Sequence, residues 1–110
     1  MKQKILNMLG LAQKAGRIAS GETAAECAVK SGNTRLLIVA ADASDGSRKH
    51  WTDKTAYRQI PCVTWGTKEE LGRAVGKAER SALAVTDENF ALRIREMLRE
   101  ENAREELQGE

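Results

Sequence analysis

Residues 36–41 read Leu-Leu-Ile-Val-Ala-Ala, six apolar residues in an unbroken run, with Asn33-Thr34 before them and Asp42 after. So short a run without alternation fits a strand buried on both faces better than a helix. That strand is the expected centre of the core. Ahead of it, Gly21 opens and Gly32 closes a helix-length mixture of polar and apolar residues. At about 100° per residue, Ala25, Ala28 and Val29 fall on one side of that helix and Thr23, Cys27 and Lys30 on the other. The first set packs on the sheet and the second faces outward. Cys27 is unusual there, because free cysteine is among the residue types most often buried.

The start of this helix carries chemistry. Ser20 reads as its N-cap, Gly21 lets another backbone come close, and the first-turn amides with the positive end of the helix dipole make an anion site. Glu22 in that turn can satisfy the dipole internally. The competing reading is an ordinary capped helix.

Around this centre the pattern alternates. Ile5, Met8, Leu9 and Ala12 form one helical stripe that stops at Ala15-Gly16. A short piece at 17–19 reads as an edge strand. After the apolar run, residues 42–47 form a turn, and a helix over 47–58 buries Trp51 and Thr55 while exposing Arg48, Lys49 and Lys54. Ile60-Pro61 ends it, since the residue before proline is pushed to extended geometry. Cys62-Val63-Thr64-Trp65 is a short strand, with Cys62 and both tryptophans read as core. Thr67 and Glu70 form a capping box ahead of a short fourth helix weakened by Gly72 and Gly76. A polar loop over 76–80 leads to a strand at 82–85. Thr86-Asp87 then caps a final helix with the stripe Phe90, Ile94, Met97 and Leu98.

Helices alternating with short strands imply an α/β fold, a three-layer α/β/α sandwich around a small mixed sheet of about four strands. The 110 residues suffice for one core and not for two. We expect one domain over 1–98 and a polar, frayed helical extension over 99–110, with Glu100 and Arg104 as an i,i+4 pair.

The charged share of 31% and hydrophobic share of 41% are those of a soluble globular protein. With no signal peptide and no apolar run near the roughly 18 to 20 residues of a membrane span, the expected setting is cytoplasmic. Cys27 and Cys62 lie far apart and His50 is the lone histidine, so no metal and no cofactor are expected. Net charge is only +2, but residues 1–35 hold six cations against Glu22 and Glu26, whereas residues 91–110 hold four arginines against six glutamates. A basic front admits a polyanionic partner. Asp42, Asp45 and Asp87 sit before helices, where capping explains them, and no nucleophile, base and orienting group come together, so no enzyme is expected.

With the elements placed, the chain resembles the YlxQ-like bacterial branch of the kink-turn RNA-binding ribosomal protein superfamily named for the archaeal protein L-seven-Ae, which is Pelota-like in fold. The resemblance is carried by Leu9-Gly10-Leu11-Ala12, Ala15-Gly16-Arg17, Ser20-Gly21-Glu22, Ser31-Gly32, Ile38-Val39-Ala40 with Asp42-Ala43-Ser44, Thr52-Asp53-Lys54, Ile60-Pro61, residues 71–77 and Ala84-Val85-Thr86-Asp87. It implies a sandwich that grips a sharply bent RNA internal loop. The helix over 21–30 would enter the widened groove, and the loop over 75–80 would hold an extruded base.

On that resemblance, Gly21 positions RNA, Glu22 and Thr23 lie beside it, and Lys14, Arg17, Lys30 and Lys77 meet phosphates. Val75 and Gly76 shape the base pocket, with Arg80 closing the loop. The strongest binders of the superfamily carry asparagine, glutamate and lysine two, three and six residues after the glycine. This chain carries Thr23, Ala24 and Cys27, which implies weakened or altered specificity. The expected function is binding of structured RNA by a monomer in ribosome assembly or translation, with ribosome-associated proteins as further partners. The alternative is a protein-interaction module that kept the fold after its RNA face decayed.

Overall fold

In the computed structural model, which describes residues 2–108 and side chains as far as residue 103, helices and strands alternate. The order is α1 (Lys2–Lys14), β1 (Ile18–Ser20), α2 (Glu22–Lys30), β2 (Leu36–Val39), α3 (Asp45–Tyr57), β3 (Cys62–Thr64), α4 (Lys68–Ala74), β4 (Ala82–Val85) and α5 (Glu88–Gln108). The strands form one mixed sheet in the order β1-β4-β2-β3. β4 is antiparallel to both β1 and β2, and β2 is parallel to β3 across the α3 crossover. Every residue of the two central strands, β2 and β4, is buried, as the unbroken apolar run at 36–41 requires. Helices α2 and α3 lie against the sheet, while α1 packs on α4 and α5.

The amphipathic stripes hold. Ile5, Leu9 and Ala12 are buried in α1 with Met8 half-buried, Ala25, Ala28 and Val29 are buried in α2, and Trp51 and Thr55 in α3. Ala91, Ile94, Met97 and Leu98 bury the first half of α5, with Phe90 half-buried at its edge. α1, α2 and α4 end with a glycine in the left-handed region, Gly16, Gly32 and Gly76, and the following amide bonds back to the carbonyl five residues earlier. α3 ends the same way on a non-glycine residue, Gln59 at φ 58°.

Several boundaries differ from expectation. α3 begins at Asp45 rather than 47, because the Ser44 hydroxyl accepts the Ser47 amide at 3.1 Å and draws Asp45 and Gly46 into the first turn. α2 is capped by Gly21 without a side-chain bond, and Ser20 is instead the last residue of β1. Lys54 is not an outward cation, since its ammonium pairs with Glu26 of α2. Cys62 and Trp65 are only half-buried, and the Trp65 indole donates to Glu101 at 2.9 Å. That bond ties the helical segment beyond Arg99 to the end of β3. Arg104, the expected partner of Glu100, lies outside the described side chains.

Candidate nucleic-acid interface

Strand pairing decides what meets at each end of the sheet. β1 and β4 run antiparallel with Ser20 opposite Leu83, so the exit of β1 into α2 abuts the start of β4. The Gly21 amide donates to the Ala82 carbonyl at 3.2 Å. Gly21 itself sits at φ 92° and ψ 163°, a conformation open to glycine and strained for other residues. Because no side chain caps this turn, the first amides of α2 are left to outside partners.

The loop between α4 and β4 reaches the same place. A Cβ added to Gly21 would lie 3.5 Å from Arg80 Nε and 3.6 Å from its Cδ, so the Arg80 side chain crosses directly over the glycine. Its backbone amide is anchored to the Lys68 carbonyl at 3.0 Å, and Nη1 donates to the Glu79 carbonyl at 3.0 Å. Nε finds no acceptor among the described residues. Nε is enclosed, but Nη2 makes no bond among the described residues, and an arginine pinned in this way beside a helix start is suited to a phosphate.

The loop's own shape comes from Gly72. The Ala78 carbonyl stands where a side chain at 72 would be, and the Lys77 amide donates to the Gly72 carbonyl at 2.8 Å. Val75 is buried beneath the loop, whereas Gly76 and Lys77 are exposed.

On α2, Glu22, Thr23, Ala24 and Cys27 are all exposed. The Glu22 carboxylate accepts a long bond of 3.4 Å from the Ser81 hydroxyl, so it shares the positive helix end with any incoming anion. The structure thus gathers Glu22, Thr23, Ala24 and Cys27 on the exposed face of α2 with Arg80 across Gly21, while Gly76 and Lys77 lie earlier in the same loop as Arg80, against the end of α4. None of the other three cations lies beside Gly21. Lys30 closes α2 and Arg17 precedes β1, each about 13 Å along its element from Gly21. Lys14 lines the groove between α1 and α4 with Lys2 and Arg73.

Sequence reasoning missed the ionic cluster beside this face. Glu26 pairs with Lys54 and lies 3.0 Å from His50 Nε2. The bond from Lys54, with a smaller contribution from His50, holds the Glu26 carboxyl below its usual range despite partial burial. No local signal could have revealed partners so distant in the chain. The acids that raised the question of catalysis have structural partners. Asp42 accepts the Lys68 amide at 2.8 Å, Asp87 accepts the Phe90 amide at 2.9 Å, and Asp45 pairs with Arg48. Among the described residues no group of three His, Cys, Asp or Glu side chains could hold a metal, and no helix is long and apolar enough to cross a membrane.

These features define a small α/β/α sandwich that presents a glycine-capped helix start and a basic loop side by side. The chain belongs to the ribosomal protein L7Ae/L30e/S12e/Gadd45 family, whose model matches residues 3–94. It is 30% identical over 97 residues to the RNA-binding protein YlxQ of Enterococcus faecium, covering 88% of this chain and 93% of that protein. It is 34% identical over 91 residues to the RNA-binding protein YlxQ of Bacillus subtilis (strain 168), covering 83% and 91%. Among solved structures, a protein of unknown function from Bacillus halodurans C superposes with a TM-score of 0.79 at 37% identity, over 83% of this chain and 92% of that one. A Giardia lamblia 15.5kD RNA binding protein superposes with a TM-score of 0.72 at 25% identity, over 84% and 82%.

Proposed function

We propose that this protein binds structured RNA through the start of α2 and the loop over residues 75–81, without catalysis, in ribosome assembly or translation in the cytoplasm. The observation that carries this reading is Arg80 laid across Gly21, which sets an unused guanidinium donor beside the uncapped amides of α2. Relatives named as RNA-binding proteins, matched over most of their length, support it. Backbone amides and guanidinium would hold phosphates, and the exposed face of α2 would meet base edges splayed out of an internal loop.

Recognition of a kink-turn is altered on this reading. Thr23 retains a hydroxyl, Ala24 offers no acceptor for a guanine edge and Cys27 offers no cation. A missing bidentate base contact lowers discrimination by roughly 1–3 kcal/mol. The test is calorimetry with a kink-turn RNA and a straight duplex of equal length across a salt series. The reading expects preference for the bent RNA and affinity that falls steeply as salt rises. Equal affinity for both RNAs would overturn specific recognition. Binding of neither, with salt-insensitive capture of a protein partner, would favour an interaction module.

A further inference from the structure

At the end of the sheet opposite Gly21, a depression of about 420 Å³ is lined by Lys30, Thr34, Arg35, Arg58, Glu88 and Arg95. Four cations from α2, the start of β2, the end of α3 and α5 thus face one carboxylate. Glu88 approaches Arg35 only to 3.8 Å, and Lys30, Arg58 and Arg95 have no acidic partner among the described residues.

Two helices end here, and cations at helix C-termini ordinarily compensate the dipole. Carbonyls in both last turns, however, are already bonded by backbone. Gly32 and Asn33 amides donate to Val29 and Ala28, and Gln59 and Ile60 amides donate to Ala56 and Thr55. The side-chain donors are therefore surplus to the fold. A second observation points to a ligand. Thr34 is only 3% exposed, it lines the depression, and its Oγ1 has no hydrogen-bond partner. Buried hydroxyls are normally paired.

We infer that this depression is a second phosphate-binding site, which takes the backbone of an RNA segment lying beyond the one held at Gly21. Arginine, three of the four cations, offers the planar fork that matches a phosphate bidentately. Next to Arg58, Tyr57 is 84% exposed, with the guanidinium 5.7 Å from its ring centroid. An exposed aromatic beside an arginine cluster favours a nucleic acid, whose bases can stack on it, over an acidic peptide. The inference rests on the RNA-binding reading, and its site is about 13 Å away along α2.

The test uses the full chain and one internal-loop RNA made with long and with truncated flanking helices. The triple variant R35Q/R58Q/R95Q is expected to bind the long RNA about tenfold more weakly, with the log–log salt slope reduced by about two to three. It should bind the truncated RNA as the parent does. T34V, which removes the hydroxyl and keeps the shape, is expected to weaken the long RNA about fivefold, while R80Q weakens both RNAs. If the triple variant and T34V bind the long RNA like the parent while R80Q does not, the second site is overturned and the Gly21 face stands. If the triple variant loses binding and R80Q does not, the second site stands and the Gly21 face fails. Competition by poly-glutamate as effective as that by RNA would overturn the assignment to nucleic acid.

Discussion

The carbonyl of Ala78 occupies the space that a side chain on Gly72 would need. This contact folds the α4–β4 loop back on its helix, returns the chain to Arg80 and so places the guanidinium over Gly21.

Gly72→Ala forces that carbonyl away. Overpacking of this kind destabilises by about 1–3 kcal/mol, and the displaced loop should also weaken RNA binding. Gly46→Ala is the control, since no atom lies near its Cβ position in the exposed first turns of α3. It should raise stability by about 0.5–1 kcal/mol. Urea unfolding of the two variants against the parent checks both signs.

The cluster of Glu26 with Lys54 and His50 makes stability depend on acid. Because Lys54 holds the folded Glu26 carboxyl below its ordinary value of 4.5, its contribution is complete above that pH and is lost as pH falls through the folded value. Glu70 behaves alike, lowered chiefly by Lys2. Glu26→Gln should lower stability at neutral pH by about 0.5–1 kcal/mol and flatten, without abolishing, the decline below pH 4.5. Thermal unfolding from neutral to strongly acidic pH measures both.

The two thiols should behave differently. Cys27 is exposed, while burial pushes the Cys62 thiol up, so iodoacetamide at neutral pH should label Cys27 first and Cys62 mainly on unfolding. Bound RNA should protect Cys27. Mass spectrometry of a labelling time course reads both rates.

Restoring a cation on the same face tests its register. Cys27→Lys should tighten kink-turn binding by about tenfold, because a new phosphate contact adds on the order of 1 kcal/mol or more. Unchanged affinity in a gel-shift titration would place the RNA elsewhere on α2.

Local chemistry was legible in the sequence where the deciding groups are close together. Thr67 and Glu70 form the capping box expected of them, the apolar runs at 36–41 and 82–85 supply the two central strands, although β2 stops at Val39 and Ala41 is an exposed turn residue, and the α2 stripe buries Ala25, Ala28 and Val29. Boundaries failed where several residues could take one role, as when the Ser44 cap starts α3 at Asp45 rather than 47, or Gly21 rather than Ser20 caps α2. The helix face of the candidate site was readable from spacing alone. The distance of Arg17 and Lys30 from Gly21 also follows from spacing along β1 and α2, but the placement of Lys14 in the groove between α1 and α4 was not readable, because helix packing sets it. Nor was the meeting of Lys30, Arg35, Arg58 and Arg95, which four separate segments deliver to one depression.

The most direct measurement is an amide chemical-shift map of the full chain titrated with an internal-loop RNA carrying short flanking helices. The largest changes should fall at residues 21–27 and 75–81, with α3 and the groove between α1 and α4 little altered. Changes concentrated on α3 or in that groove, with Gly21 and Arg80 unmoved, would contradict the account.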